Sequence, residues 1–272
     1  MRTLRTIFAI MKKELVSYLT TPWAWVVMTV TAFLSSMFFI GLLMNFQQLH
    51  EDVHRSPNGW ADIPASLHVF RNLTDGVVVN LWQTMLVLTL FLAPFLSMRL
   101  FAEERRNKTF ELLMTAPVRP FEIVLGKYLG AVGIVGCTIG VTIVFPIILS
   151  LVGSSQSGST LEWRTVLMGY GALLLWGATN MAIGMFISSM TESQMVAALV
   201  SFAVALAWML LKMIANGAEE PFHSALGYLS FDQQLQNLIK GVLDLKPIIF
   251  FSSVIAFFLL LTRHSIEAQR WT

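Results

Sequence analysis

The sequence predicts an all-α integral membrane protein with six membrane-spanning helices, and two observations carry that prediction. Of its 272 residues, 56% are hydrophobic and 12% are charged. Soluble domains run near a quarter charged, so this chain lacks the polar groups to cover a soluble surface of its size. The apolar residues also fall in runs long enough to cross the hydrocarbon layer, for which a helix needs about 20 residues. Such runs occupy residues 22–46, 77–97, 123–151, 165–189, 195–214 and 247–262, the last being the shortest. A helix meets its backbone hydrogen bonds internally, which hydrocarbon demands.

Six crossings put both termini on one side, and the basic residues choose that side. With the termini in the cytoplasm, the inner segments carry twelve Lys and Arg, from Arg2, Arg5, Lys12 and Lys13 to Arg263 and Arg270, and the outer segments carry six. Trp23, Trp25 and Trp271 stand at the inner edge, as interfacial aromatics do. The formal charge of +2 gives no reason to expect a nucleic-acid partner. The lone Cys137 excludes an intrachain disulfide.

Residues 1–21 predict an amphipathic helix rather than a cleavable signal, because Lys12, Lys13 and Glu14 interrupt any signal-type apolar core. Leu4, Ile7, Phe8, Met11, Leu15 and Tyr18 share a face, with Arg5, Lys12 and Lys13 placed to meet lipid headgroups. On the outer side, residues 47–76 read as a modest polar loop. Residues 216–246 carry Leu229, Leu235, Leu238, Ile239, Val242 and Leu243, a pattern for short helices lying on or dipping into the outer leaflet. Ser154 to Thr160 reads as a flexible turn.

The connection after the second span is unlike the rest. "MRLFAEERRNKTFELLMTAPVRP" sets Glu103, Glu104, Arg105, Arg106, Lys108 and Glu111 around the apolar Phe110, Leu112, Leu113 and Met114. Thr109 is placed to cap a short helix, with Glu111 suited to its positive end, and Pro117 and Pro120 stop it. A loop that only oriented the chain would need basic residues alone. Mixed charge around an apolar knob fits either a docking surface for a soluble partner or a stub packed on its own bundle.

In the third span Gly126, Gly130, Gly133, Cys137 and Gly140 recur at spacings of four, three, four and three. Such a stripe lets another helix approach closely, as a sliding surface or a fixed seat. Pro94 and Pro146 are candidate bends, and Asn80, Gln83, Asn180 and Ser188 are candidates for a lined pathway or for bonds between helices. Gly126–Lys127 is no phosphate loop, since Phe121 and Tyr128 stand where that motif needs Gly and Ser or Thr. Energy for any transport must therefore come from another chain.

One motif points to different chemistry. "HEDVH" places His50 and His54 one helical turn apart with Glu51 between them, the spacing by which two imidazoles hold zinc and a carboxylate activates water. Against a membrane metalloprotease, Pro57 and Gly59 end the helix at once, Asp52 adds an unwanted charge, and His68 is the only nearby third ligand.

The segment "RLFAEERRNKTFELLMTAPVRPFEIVLGKYLGA" resembles the cytoplasmic loop of the ABC-2 type export permeases, the membrane subunits of ATP-binding cassette transporters. "MKKELVSYLTTPWAWVV" and the tail "YLSFDQQLQNLIKGVLDLKPIIFFSSVIAFFLLLTRHSIEAQRW" are similar to that superfamily's gliding-motility-associated branch, and the likeness runs through the whole chain as one domain, 1–272. It implies that residues 1–21 form an elbow helix on the inner leaflet and that residues 99–120 hold a coupling helix seated on an ATPase subunit. Glu103, Glu104, Arg105, Arg106, Thr109, Glu111, Leu112 and Leu113 become the expected contacts. It further implies two ATPase chains that bind the ATP and Mg, no cofactor in this chain, a second permease chain, and a bacterial inner-membrane location. A scaffold that moves nothing is the remaining alternative.

Overall fold

A computed structural model shows α-helices and no β-strand among the described residues, 2–110, 118–156, 161–217 and 222–268. Helix α1 (Arg2–Thr20) meets α2 (Pro22–Arg55) at Thr21, where Pro22 opens the new helix, its fixed φ suiting the first turn. The first crossing outruns its apolar segment: α2 has 34 residues, about 51 Å at 1.5 Å per residue. Nothing between Gln47 and Arg55 breaks a helix, and Glu51 pairs with Arg55 one turn on at 3.2 Å. Ser56, held extended ahead of Pro57, ends it.

Short turns at Gly59–Asp62 and Ala65–Arg71 lead into the second crossing, which opens with a wide turn over Thr74–Val79 and continues as α3 (Asn80–Ser97) and α4 (Arg99–Arg106). The Asn80 amide donates to the carbonyls of Asp75 and Gly76 at 3.2 and 2.8 Å, occupying acceptors in that turn. The third crossing is α5 (Pro120–Val141) and α6 (Val144–Gln156). It breaks at Thr142, where the ring of Pro146 conflicts with the carbonyl four residues back, while the Thr142 hydroxyl donates to Ile139 O at 2.6 Å.

The remaining crossings are α7 (Trp163–Met190), α8 (Gln194–Asn216) and, after α9 (Phe222–Leu229) and α10 (Phe231–Ile239), α11 (Leu245–Ala268). Helices long and apolar enough to cross a membrane number six among the described residues. Helix α7 is the axis, packed by α3, α5, α8, α10 and α11, with Leu173, Trp176, Met181 and Met185 fully buried. Lipid is as apolar as leucine, so such packing depends on close fit. At Gly184 a Cβ would fall 2.0 Å from the Ser97 hydroxyl oxygen, so only glycine lets α3 and α7 meet there.

Helices α9 and α10 form a hairpin that enters the bundle from the end opposite the termini. At its tip Phe231 stacks on Trp176 at 4.1 Å, and the Trp208 indole donates to Leu229 O at 2.8 Å. Trp176 lies 13 residues into α7, a depth of about 20 Å. The hairpin returns along α7 until Gly241, at φ +79°, rests against Thr165. The hairpin is thus packed among the helices of the bundle.

Candidate functional site

The most unusual chemistry lies at the end of the bundle that bears the termini. Lys127 is in the second turn of α5, yet its side chain is only 3% exposed. Its ammonium lies 2.8 Å from a Glu14 oxygen on α1 and 2.8 Å from a Glu104 oxygen on α4, and 5.3 Å above the Phe101 ring. One buried cation thus joins α4 and α5 to α1, more than 80 residues earlier in the chain.

The glycine stripe puts α1 within reach. A Cβ on Gly126 would come within 2.7 Å of Ile10, one on Gly130 within 2.7 Å of Glu14, and one on Gly133 within 2.8 Å of Leu15. The contacts climb both helices together, so α1 and α5 run in the same sense. Gly140 has no neighbour within 4 Å of its would-be Cβ. The apolar face of α1 is consequently divided. Ile7, Ile10, Met11, Leu15 and Tyr18 turn toward the bundle, while Leu4, Phe8 and Leu19 stay exposed beside Arg5 and Lys12. The Tyr18 hydroxyl donates to Leu96 O at 2.8 Å, and burial pushes its pKa upward, so it remains a donor.

Helix α4 is tied to α7 as well. The Ser188 hydroxyl accepts from the Phe101 and Ala102 N–H groups at 3.1 and 3.0 Å and donates to Met98 O at 3.0 Å. One donor and two lone pairs are all in use, repairing the backbone ladder where α3 gives way to α4. Ser188→Ala should destabilise the protein by about 1–3 kcal/mol, since two buried N–H groups lose their acceptor. Thermal unfolding in detergent would show it, with Ser188→Thr closer to wild type.

Among the expected docking residues, Glu103 is turned inward to Arg99, which it grips through both oxygens at 2.8 and 2.9 Å. Glu104 belongs to the Lys127 node. The Arg105 guanidinium lies 5.1 Å over the Phe110 ring, and Arg106 is exposed. Lys108 sits at φ +56°, the left-handed residue of a helix-ending motif in which Thr109 N–H reaches back to Glu104 O at 2.9 Å. The Thr109 hydroxyl reaches the same carbonyl at 3.3 Å. Glu111, Leu112 and Leu113 lie outside the described residues.

The pathway candidates do not converge. Asn80 serves its own turn, Gln83 is exposed, Asn180 is buried with its amide on Trp176 O at 2.9 Å, and Ser188 braces α4. A cavity of about 880 Å³ opens elsewhere, between α2, α3 and α8, and none of the four lines it. Sequence reasoning passed over it because its walls come from three separate spans. Likewise Lys127 entered the sequence reading only as one of the inner basic residues and as the lysine of a failed phosphate-loop match. The available signal was an ionisable group inside a span, which calls for a partner.

The zinc motif is otherwise engaged. His50 Nδ1 donates to Phe46 O at 3.0 Å, its ring lies 4.1 Å from that of Phe46, and Glu51 pairs with Arg55. His68 Nε2 contacts the Trp60 and Ile63 carbonyls at 3.1 Å. No group of three or more His, Cys, Asp or Glu placed to hold a metal occurs among the described residues, so the metalloprotease alternative is set aside.

Comparison with curated proteins finds no match. A family model described as ABC-2 family transporter protein matches residues 8–263, from within the α1 helix that Lys127 anchors to a point within the sixth crossing. That span reaches every helix of the node and all six crossings, and the chain belongs to the ABC-2 family of membrane transporters.

Proposed function

We propose that this chain is the permease of an exporter driven by a separate ATPase, set in a bacterial inner membrane with both termini in the cytoplasm. The observation that carries the reading is the Lys127 node. It fastens the start of the 99–120 segment to α1 and α5, while Ser188 fastens it to the axial helix α7. A push on residues 107–117 would thereby reach three elements at once instead of bending a loose loop.

In this mechanism Thr109, Glu111, Leu112 and Leu113 meet the ATPase, and Glu103, Glu104, Arg105 and Arg106 carry the segment that presents them. Two ATPase chains close on ATP and Mg, and the stroke rocks α5 and α7 against the other spans. A second permease chain completes the pathway. The resemblance to the gliding-motility-associated branch suggests machinery assembly or surface export as the physiological setting.

Co-expression with candidate ABC ATPase subunits from the same organism, followed by purification and reconstitution, tests the assignment. Leu112→Asp with Leu113→Asp and Glu111→Lys should abolish co-purification and transport-coupled ATP hydrolysis while insertion stays normal. A variant that couples like wild type, or a Lys108→Cys label reached only from outside intact cells, would remove the docking role. A non-transporting scaffold would show no dependence on the ATPase.

A further inference from the structure

We infer that the outer half of the third crossing, α6, swings as a unit about Thr142, and that a hydrogen bond from Tyr170 to Thr142 is the latch holding it in the arrangement described. Such a swing lies within one chain, beyond the ATPase coupling proposed above, and does not depend on it. The hinge is built into the backbone. Between α5 and α6 the chain leaves the α-helical ladder: Thr142 N–H bonds Ile139 O at 3.0 Å, Ile143 N–H bonds Gly140 O at 3.1 Å and Phe145 N–H bonds Thr142 O at 3.1 Å. Bonds that reach back three residues make a tighter turn, and such a stretch inside a longer helix marks a hinge. Pro146 has no N–H with which to restore the ladder across it.

The two halves are held differently. Before the break α5 is clamped on α7, since a Cβ on Gly177 would fall 2.6 Å from Val135 and one on Gly136 would fall 3.4 Å from Leu174. From Gly140, where nothing approaches, the clamp ends. Of residues 144–151 only Pro146 and Leu149 are buried, and Phe145 stacks on Phe39 of α2 at 5.0 Å. The exposed Val144, Ile147, Ile148 and Leu151 face lipid, which is as apolar as they are and favours no one position of the helix. A segment with few buried contacts opens more readily than a clamped one.

The latch follows from counting hydrogens. The Thr142 hydroxyl uses its one proton on Ile139 O at 2.6 Å, so in the 3.2 Å contact with Tyr170 the tyrosine donates. The Trp82 indole N–H faces the Tyr170 hydroxyl, the two rings lying 5.9 Å apart and near a right angle. Yet this buried N–H reaches hydrogen-bond geometry with no described residue. Trp82 cannot turn away, because its ring is pressed on α7 where a Cβ on Gly169 would come within 2.4 Å. A buried donor left idle is costly, and releasing Thr142 frees the Tyr170 hydroxyl to move onto it. Tyr170 therefore has two partners, Thr142 with α6 latched and Trp82 with α6 swung.

Pulsed electron paramagnetic resonance tests this on the full chain in lipid nanodiscs. Spin labels go on Leu151→Cys and Leu167→Cys in a Cys137→Ala background, all three positions being exposed, and labelled protein is diluted with unlabelled. A swing of about 20° on an arm of about 14 Å carries Leu151 roughly 5 Å. Wild type should give one dominant distance. Thr142→Val, which keeps the side-chain shape without the hydroxyl, should raise the share of a second distance about fivefold, the worth of one hydrogen bond. Thr142→Ser should match wild type. Trp82→Phe added to Thr142→Val should lower that share again, an opposite effect that a merely loosened bundle would not show. One unchanged distance in every variant, Thr142→Ser as displaced as Thr142→Val, or Trp82→Phe raising the share further would overturn the inference. If Trp82→Phe does not fold, the two Thr142 variants decide alone.

Discussion

Lys127→Met should destabilise the protein by about 3–5 kcal/mol, the cost of removing one partner from a buried ionic contact. Methionine replaces the aliphatic stem and leaves the carboxylates of Glu14 and Glu104, 12% and 19% exposed, facing each other without a cation. The thermal midpoint in detergent should fall by roughly 10 °C. Adding Glu14→Gln and Glu104→Gln should recover most of the loss, because the residual penalty is an uncompensated charge and not a missing attraction. Limited proteolysis should cut α1 faster in the single variant than in the triple one. A single variant that melts like wild type would show that the three groups are not in contact in the folded protein.

Gly130→Ala should destabilise by about 1–3 kcal/mol through overpacking, outweighing the gain of about 1 kcal/mol that alanine brings to a helix interior. The added carbon would fall 2.7 Å from Glu14 Cβ and 3.3 Å from Met11 O, so α1 must move away and carry its carboxylate off Lys127. Gly140→Ala is the internal control. It meets nothing within 4 Å and should be neutral or stabilising. Gly130→Ala and Lys127→Met should also be non-additive, since both act on the seat of Glu14. Equal melting of the two alanine variants would mean that α1 does not lie on the stripe.

The six crossings were legible because the length of an apolar run is fixed by membrane thickness, and the α7 and α8 boundaries follow the predicted 165–189 and 195–214 within a few residues. The overshoot of α2 was not, because Gln47–Arg55 is helical by local propensity and ion pairing while hydropathy marks only the apolar part. The glycine stripe was visible at its spacing, but its occupant was not: an amphipathic segment with three charges in a row reads as a lipid-facing helix until the partner of Glu14 is known. The node escaped for a similar reason. Glu14 and Lys127 are 113 residues apart, and pairings at that range follow from topology rather than from local pattern. Ser188 was picked out as a polar residue in a span, and its structural use is the bonding between helices that was one of its two expected roles.

The reach of α2 has a mechanical consequence. Phe46, His50, Trp60, His68 and the Arg71 guanidinium stack around its far end, stiffening a rod of about 51 Å in a hydrocarbon layer of ~30 Å. A 10° lean about the Trp23 end would swing the tip on the order of 9 Å. The rod is therefore a lever arm that magnifies small rotations, and spin labels at Arg55 would register movements that remain below an ångström at its pivot.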